Sequence, residues 1–293
     1  MTHVVRREFL RTAAATTMAA TAIVSEGVEA NAAKKREASM SYGLVTYMWG
    51  AKWDLPTLLA NCEQTRCLGV ELRTTHAHAV EPALNVQERK EIAKRFEDSP
   101  VTLVGIGSNE RYDNPDGKVV RQAIDATKRF IELSHDVGGT GVKVKPDKFH
   151  KGVPHGQTIE QIGRALNELG EFAVGYGQQI RLEVHGECRH LPTIKSILDV
   201  ADHENVAICW NCNPADLEGE GLEHNFNLVR DRFGATIHVR RFENEAYPTR
   251  KLIDMLLETD YEGWFMLESG AVPDDPVAAL ATQVRTFNEI LAS

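Results

Sequence analysis

From Tyr42 onward, short runs rich in β-branched residues alternate with longer stretches whose apolar residues recur every three to four positions. Eight such runs predict strands, at 43–49, 70–73, 101–107, 141–145, 180–185, 206–211, 236–240 and 264–268. The stretches between them predict helices. Ile159, Ile162, Leu166, Leu169 and Phe172 form one apolar stripe; Leu222, Phe226, Val229 and Phe233 form a second; Val277, Ala281, Val284 and Phe287 form a third. Asp54 before Leu55-Pro56 and Asp275 before Pro276 are N-caps followed by a first-turn proline. Eight strand–helix alternations in about 250 residues are the arithmetic of a (β/α)8 TIM barrel. We therefore expect an α/β chain with a single barrel domain over 41–293. An open doubly wound sheet would alternate similarly, but no Gly-x-Gly-x-x-Gly follows the first strand.

The pattern is absent from the first forty residues. Val5-Arg6-Arg7-Glu8-Phe9-Leu10-Arg11 is followed by small and weakly apolar residues to Val24, and then by the small-x-small triplet Ala30-Asn31-Ala32. These are the parts of a secretory signal. The paired arginines and the Ala/Thr-rich middle resemble a twin-arginine signal, expected over 1–32 with a linker over 33–40. The competing reading is an Ala-rich amphipathic helix that stays attached. A cut after Ala32 leaves a chain close to the roughly 250 residues of one closed barrel. The signal implies export to the periplasm through the twin-arginine machinery, a route that carries folded and metal-loaded proteins.

Composition narrows the partners. With 42% hydrophobic residues there is ample material for a core, and no apolar run reaches the roughly 18–20 residues of a membrane span. A net charge of −9 argues against a nucleic-acid partner. The five cysteines are odd in number, lack zinc spacing and lie within or beside apolar segments, so no disulfide framework is expected.

In such a barrel the chemistry sits at the carboxyl ends of the strands, where side chains alternate between core and axis. On the fifth strand Ile180, Leu182 and Val184 face the helices, so Arg181, Glu183 and His185 face the axis. The same parity turns Ala207, Cys209 and Asn211 inward, then Thr236, His238 and Arg240, then Trp264, Met266 and Glu268. Alone, Asn211 reads as a turn former, His238 as a core histidine and each Glu as a solvated carboxylate. Four successive strands ending in Glu183, Asn211, His238 and Glu268 make a plausible divalent-cation site.

These residues resemble the xylose isomerase-like TIM barrels of sugar isomerases and epimerases. Gly69-Val70-Glu71-Leu72 is similar to their second-strand motif, and Leu182-Glu183-Val184-His185-Gly186 to their fifth-strand Glu-Asn-His-Gly signature. Glu168 to Ala173 with Tyr176-Gly177 resembles the helix before that strand. The resemblance implies a divalent metal (manganese, magnesium, cobalt or zinc) held by Glu183, Asn211, His238 and Glu268. Asn211 stands where the family has Asp, and Pro214 where it has a further histidine. One anionic ligand fewer lowers the expected metal affinity.

The family reaction is proton transfer beside a sugar carbonyl, through an enediolate. Glu183 and Glu268 would be its ligand and base pair, the metal would polarise the carbonyl, and His185, Arg240 and Lys145 would bind substrate oxygens. Glu71 joins this substrate-binding set by its motif. Lys143 reads as salt-bridged filling of the barrel. His76 and His78 form a His-x-His just past the second strand, and Trp49 or Trp53 could stack on a sugar face. The expected activity is that of a sugar isomerase or epimerase on a free, unphosphorylated polyhydroxy carbonyl compound. A lyase or hydrolase of keto-sugar glycosides and a non-catalytic carbohydrate-binding barrel are the alternatives. The same barrel carries three-metal DNA endonucleases, but an acidic chain lacking most of their ligands does not fit. A homo-oligomer is compatible with all three readings.

Overall fold

A computed structural model describes residues 40–293; the expected leader over 1–32 and nearly all of the linker over 33–40 lie outside the described residues. The strands are β1 Ser41–Met48, β2 Gly69–Arg73, β3 Thr102–Arg111, β4 Gly141–Lys145, β5 Gln179–Glu183, β6 Val206–Asn211, β7 Phe233–Val239 and β8 Trp264–Ser269. The helices are α1 Leu55–Thr65, α2 Val86–Glu97, α3 Gly117–Asp136, α4 His155–Val174, α5 Leu191–Val200, α6 Leu222–Val229, α7 Thr249–Glu258 and α8 Pro276–Ala292. All strand pairs are parallel and follow chain order, and β8 closes on β1 through Gly43–Met266 and Leu44–Leu267.

Local chemistry explains the helix starts. The Asp54 carboxylate accepts from Thr57 N at 2.9 Å, and Asp275 accepts from Val277 N and Ala278 N at 3.0 and 2.9 Å. Asn85 and Glu88 close a capping box ahead of α2. One stripe is corrected: α6 stops at Val229, a 3-10 turn spans Arg230–Arg232, and Phe233 opens β7 instead of extending the helix.

The apolar outward faces of the strands pack against the helices in one large core. Inside the barrel the apolar cluster is small, Val45, Val104 and Met266 with Tyr47 and Trp264 beside it. The rest of the axis is polar: Glu71, Lys143, Arg181, Glu183 and His238 are each at most 1% exposed. Arg181 fills the lower level, donating to Val104 O at 2.9 Å and Thr140 Oγ1 at 2.7 Å. Gly107 makes room for this crowd, because a Cβ there would stand 2.7 Å from Glu71 Oε1.

Gly186, just past β5, has φ +67°, and a Cβ on it would meet Asp147 O at 2.0 Å. That carbonyl accepts from Glu187 N at 2.7 Å and Cys188 N at 3.2 Å, so it cannot move aside cheaply. Gly186→Ala is expected to cost roughly 2 kcal/mol or more. A urea midpoint equal to the parent's would show that the contact is not confining.

Candidate active site

The ends of β5, β6, β7 and β8 converge as strand parity requires. One ligand atom each from Glu183, His238 and Glu268 lies within 4.8 Å of the other two, all three residues being buried. His238 Nδ1 is 3.8 Å from Glu183 Oε1 and 3.6 Å from Glu268 Oε2, and it has no hydrogen-bond partner. Its other nitrogen, Nε2, faces Glu71 Oε2 at 3.3 Å. Burial works against a charged His238, yet Cys209, Glu71 and Glu268 raise its pKa well above the ordinary histidine value. Burial alone would likewise raise Glu183, but the Lys143 ammonium and His238 hold its carboxyl well below the usual range.

This arrangement fits a divalent cation. A buried, unpartnered imidazole nitrogen points at two carboxylate oxygens, and a carboxylate on the far side of the ring fixes its orientation, as around histidine metal ligands generally. Asn211 differs from its expected role as ligand. Its Nδ2 donates to Glu183 Oε1 at 2.7 Å and to Glu268 Oε2 at 3.3 Å, so the amide nitrogen, not the oxygen, faces the cluster. A half-turn of the amide exchanges the two atoms and presents Oδ1.

Lys143 is salt-bridged inside the barrel, as expected. Its Nζ contacts Glu183 Oε2 at 2.6 Å, with the two side chains 0% and 2% exposed, leaving Oε1 to the cluster. Strand parity placed it inward, but sequence could not show which carboxylate it meets. Lys145 is the next inward position on β4, half-buried, its side chain in no hydrogen bond or ion pair among the described residues. Burial first, then the charge of Lys143, pushes its pKa down to about 8. His185 lies past the end of β5 but stays extended, and Asp147 Oδ1 holds its Nδ1 at 3.0 Å. Arg240 lies just past β7, half-buried. Two mouth residues were missed. Arg73 shares the parity of Glu71 at the end of β2, and its guanidinium lies 5.9 Å from the centroid of the Tyr47 ring.

Three expected substrate contacts are placed otherwise, and a fourth, His76, has one ring nitrogen engaged. Glu71 is fully buried behind His238 and orients that ring. His78 spends both ring nitrogens on its own loop, with Arg73 O at 2.8 Å and Val80 N at 3.1 Å. His76 Nδ1 pairs with Thr46 Oγ1 at 3.0 Å, and burial with the neighbouring His78 pushes its pKa down to about 4. Trp49 is 2% exposed in the outer core, and its Nε1 donates to Ala271 O at 2.7 Å. Its partner in that expectation, Trp53, packs against the same core. The five cysteines are all buried and free.

A lateral network steadies the β6 loop. Tyr247 donates to Asp216 Oδ2 at 2.8 Å, Asn213 N donates to the same oxygen at 3.0 Å, and Asn213 Nδ2 donates back to Asn211 O at 2.7 Å. Burial pushes the Asp216 carboxyl up to about 7.

Residues 59–290 match the family model described as xylose isomerase-like TIM barrel. The chain belongs to the xylose isomerase-like TIM barrel family. Among solved structures of this architecture, 3-keto-D-glucoside 4-epimerase YcjR from E. coli superposes with a TM-score of 0.72 at 14% identity, covering 85% of this chain and 99% of that one. The IOLI protein with a binding zinc atom gives 0.73 at 16% identity, covering 86% and 98%. L-ribulose 3-epimerase gives 0.70 at 17% identity, covering 86% and 94%. At these identities the likeness is one of fold. Comparison with curated proteins by sequence gives no match.

Proposed function

We propose that the protein is a sugar epimerase or isomerase that moves a proton beside the carbonyl of a keto-sugar or related polyhydroxy compound. The observation that carries this reading is the pair Glu183 and Glu268, buried at the carboxyl end of the barrel and brought together around His238. A divalent cation held by Glu183, His238 and Glu268, with Asn211 after its amide turns, would supply Lewis acidity at the substrate oxygens.

The chain's own groups account for the remaining requirements. Glu268 has no lysine at ion-pair distance among the described residues; the charge of His238, or the cation that would take its place, favours its ionised form against burial, so it is suited to accept the carbon-bound proton. The electron pair of that C–H bond moves onto the carbonyl oxygen, forming an enediolate. A proton delivered from solvent to the opposite face re-forms the carbonyl as the epimer; one returned to the former carbonyl carbon, with the adjacent hydroxyl proton passing to the oxyanion, gives the isomer. Glu183 is fixed by Lys143 and Asn211 and stays in place through this exchange. Lys145 and His185 lie at the mouth, where the developing oxyanion needs donors. The named activities of YcjR and L-ribulose 3-epimerase, both epimerisations of carbonyl sugars, support this substrate class.

The test is incubation with a panel of ketoses and keto-glycosides in D2O, with each of manganese, magnesium, cobalt and zinc. Deuterium at the carbon beside the carbonyl, in a recovered sugar epimer or isomer, is expected. Exchange with release of the aglycone would make the enzyme a lyase, and no exchange with any metal would overturn the reading.

We also infer that the leader sends the folded enzyme to the periplasm, from the Arg6-Arg7 pair and the Ala30-Asn31-Ala32 triplet. Replacing Arg6 and Arg7 with lysine is expected to leave the protein in the cytoplasmic fraction. Unchanged periplasmic recovery would refute a twin-arginine route.

A further inference from the structure

The barrel mouth is electrically two-sided. Carboxylates cluster on the β5 and β8 side, as Glu183 and Glu268. Cations cluster on β2 and β4, where Arg73 Nη1 and Lys143 Nζ both approach Ser108 O, at 3.3 and 3.4 Å. Lys145 is the next inward residue above Lys143; burial first, then the charges of Lys143 and Arg73, lower its pKa against the opposing pull of Glu183 and Glu268. Lys143 is neutralised by Glu183. Among the described residues the other two cations have no carboxylate at ion-pair distance.

Arg73 is only 7% exposed, yet its acceptors are all neutral. Nη2 donates to Asn109 Oδ1 at 2.8 Å and Nη1 to Ser108 O, while Nε has no partner. The Tyr47 ring adds a cation–π contact but no compensating charge. A buried guanidinium without a counter-ion is costly, and a second unpaired cation beside it raises the cost. A bound divalent metal would add further positive charge. The site as built is therefore short of an anion on the side facing away from its carboxylates.

We infer that the substrate carries a carboxylate, which docks against Arg73 and Lys145 while its reacting carbon faces Glu183 and Glu268. The inference rests on the sugar-transforming reading above and narrows it to acidic sugars such as uronates, aldonates and their keto forms. A carboxylate suits the donors: two of the five guanidinium N–H groups are already engaged, leaving Nε–H, one N–H on each terminal nitrogen and the Lys145 ammonium. A phosphate dianion would call for a fuller cradle of donors.

Calorimetry at low ionic strength with D-glucuronate, D-gluconate, D-glucose 6-phosphate and D-glucose tests this without turnover. The two carboxylates are expected to bind at least about tenfold more tightly than glucose, a difference of about 1.4 kcal/mol. Arg73→Gln is expected to remove most of that preference while leaving glucose binding unchanged, and Lys145→Met to weaken carboxylate binding by several-fold more than it weakens glucose binding. Should the Arg73 variant fail to fold, the lysine variant decides alone. Equal binding of glucuronate and glucose overturns the inference, as does a preference that survives a folded Arg73→Gln, or an equal loss for both sugars in Lys145→Met. Tighter binding of the phosphate than of either carboxylate overturns the choice of a carboxylate. The two readings fail separately. Selective carboxylate binding with no proton exchange from any carbonyl sugar refutes the epimerase and leaves the subsite. Exchange with equal kcat/KM on neutral ketoses and their carboxylated counterparts does the reverse.

Discussion

Replacing Glu268 with glutamine is expected to lower proton exchange by about three orders of magnitude, within the range for loss of a positioned general base. Glutamine keeps the volume and the ability to accept from Asn211, so the barrel should hold. What disappears is the basic oxygen and one of the two anionic charges facing His238 Nδ1. Glu183→Gln should cost as much by a different route, because it also strips Lys143 of its counter-ion. Elemental analysis separates ligand from base: both variants should hold less divalent metal than the parent. Asn211→Asp should hold more, since it places a third carboxylate beside Glu183 and Glu268. Exchange within tenfold of the parent in Glu268→Gln would remove that residue from the chemistry. The variants are best compared by exchange in D2O, which reports the proton step even when product release limits turnover.

The barrel and the heart of its site were legible in the sequence for one physical reason. A strand buried between helices and axis must alternate, and an alternating strand declares its inward residues. Glu183, His238 and Glu268 follow from that rule, and the structure brings them together. The rule fails where strands stop. Met48 takes φ +55° at the end of β1, so Trp49 leaves the strand's parity and enters the outer core. His78 bonds within its own loop and His76 turns back to Thr46 on β1, and nothing in a His-x-His spacing distinguishes such staples from ligands. Phe233 continued a helical period by coincidence, across a turn of three residues.

A second kind of information was missing because it belongs to the register between strands. Glu71 and His238 are far apart in sequence, and their contact depends on barrel closure and on the register shift between Val70 and Glu71 along β3. Sequence could assign Glu71 to the axis but not to the back of a particular imidazole. Lys143 and Arg73 were inward by parity too, yet a buried cation means little until its partners are counted. Lys143 has a carboxylate and Arg73 has none, and that difference carries functional weight.

Lys143→Met should therefore be the most destabilising single change at the site. The pair is fully desolvated, 0% and 2% exposed at 2.6 Å, so removing the ammonium leaves Glu183 charged and buried, with the Asn211 amide and the weaker support of His238 and His185. Breaking a buried pair from one side costs about 3–5 kcal/mol. The deficit should shrink as pH falls. In the parent, Glu183 has a depressed pKa, so the pair's stabilisation is present above the unfolded carboxylate range and fades as pH drops through the folded value. In the variant the carboxyl takes up a proton sooner, and a neutral acid needs no ammonium. Removing the other partner as well should recover much of the loss, because a buried ion pair replaced on both sides is often close to neutral. Urea denaturation of the parent, Lys143→Met, Glu183→Gln and the double variant completes the cycle, with a coupling of about 2 kcal/mol or more expected. Additive losses would mean that the two side chains act independently. A Lys143→Met protein as stable as its parent would show that other neighbours carry the charge of Glu183, and Lys143 would be no more than barrel filling.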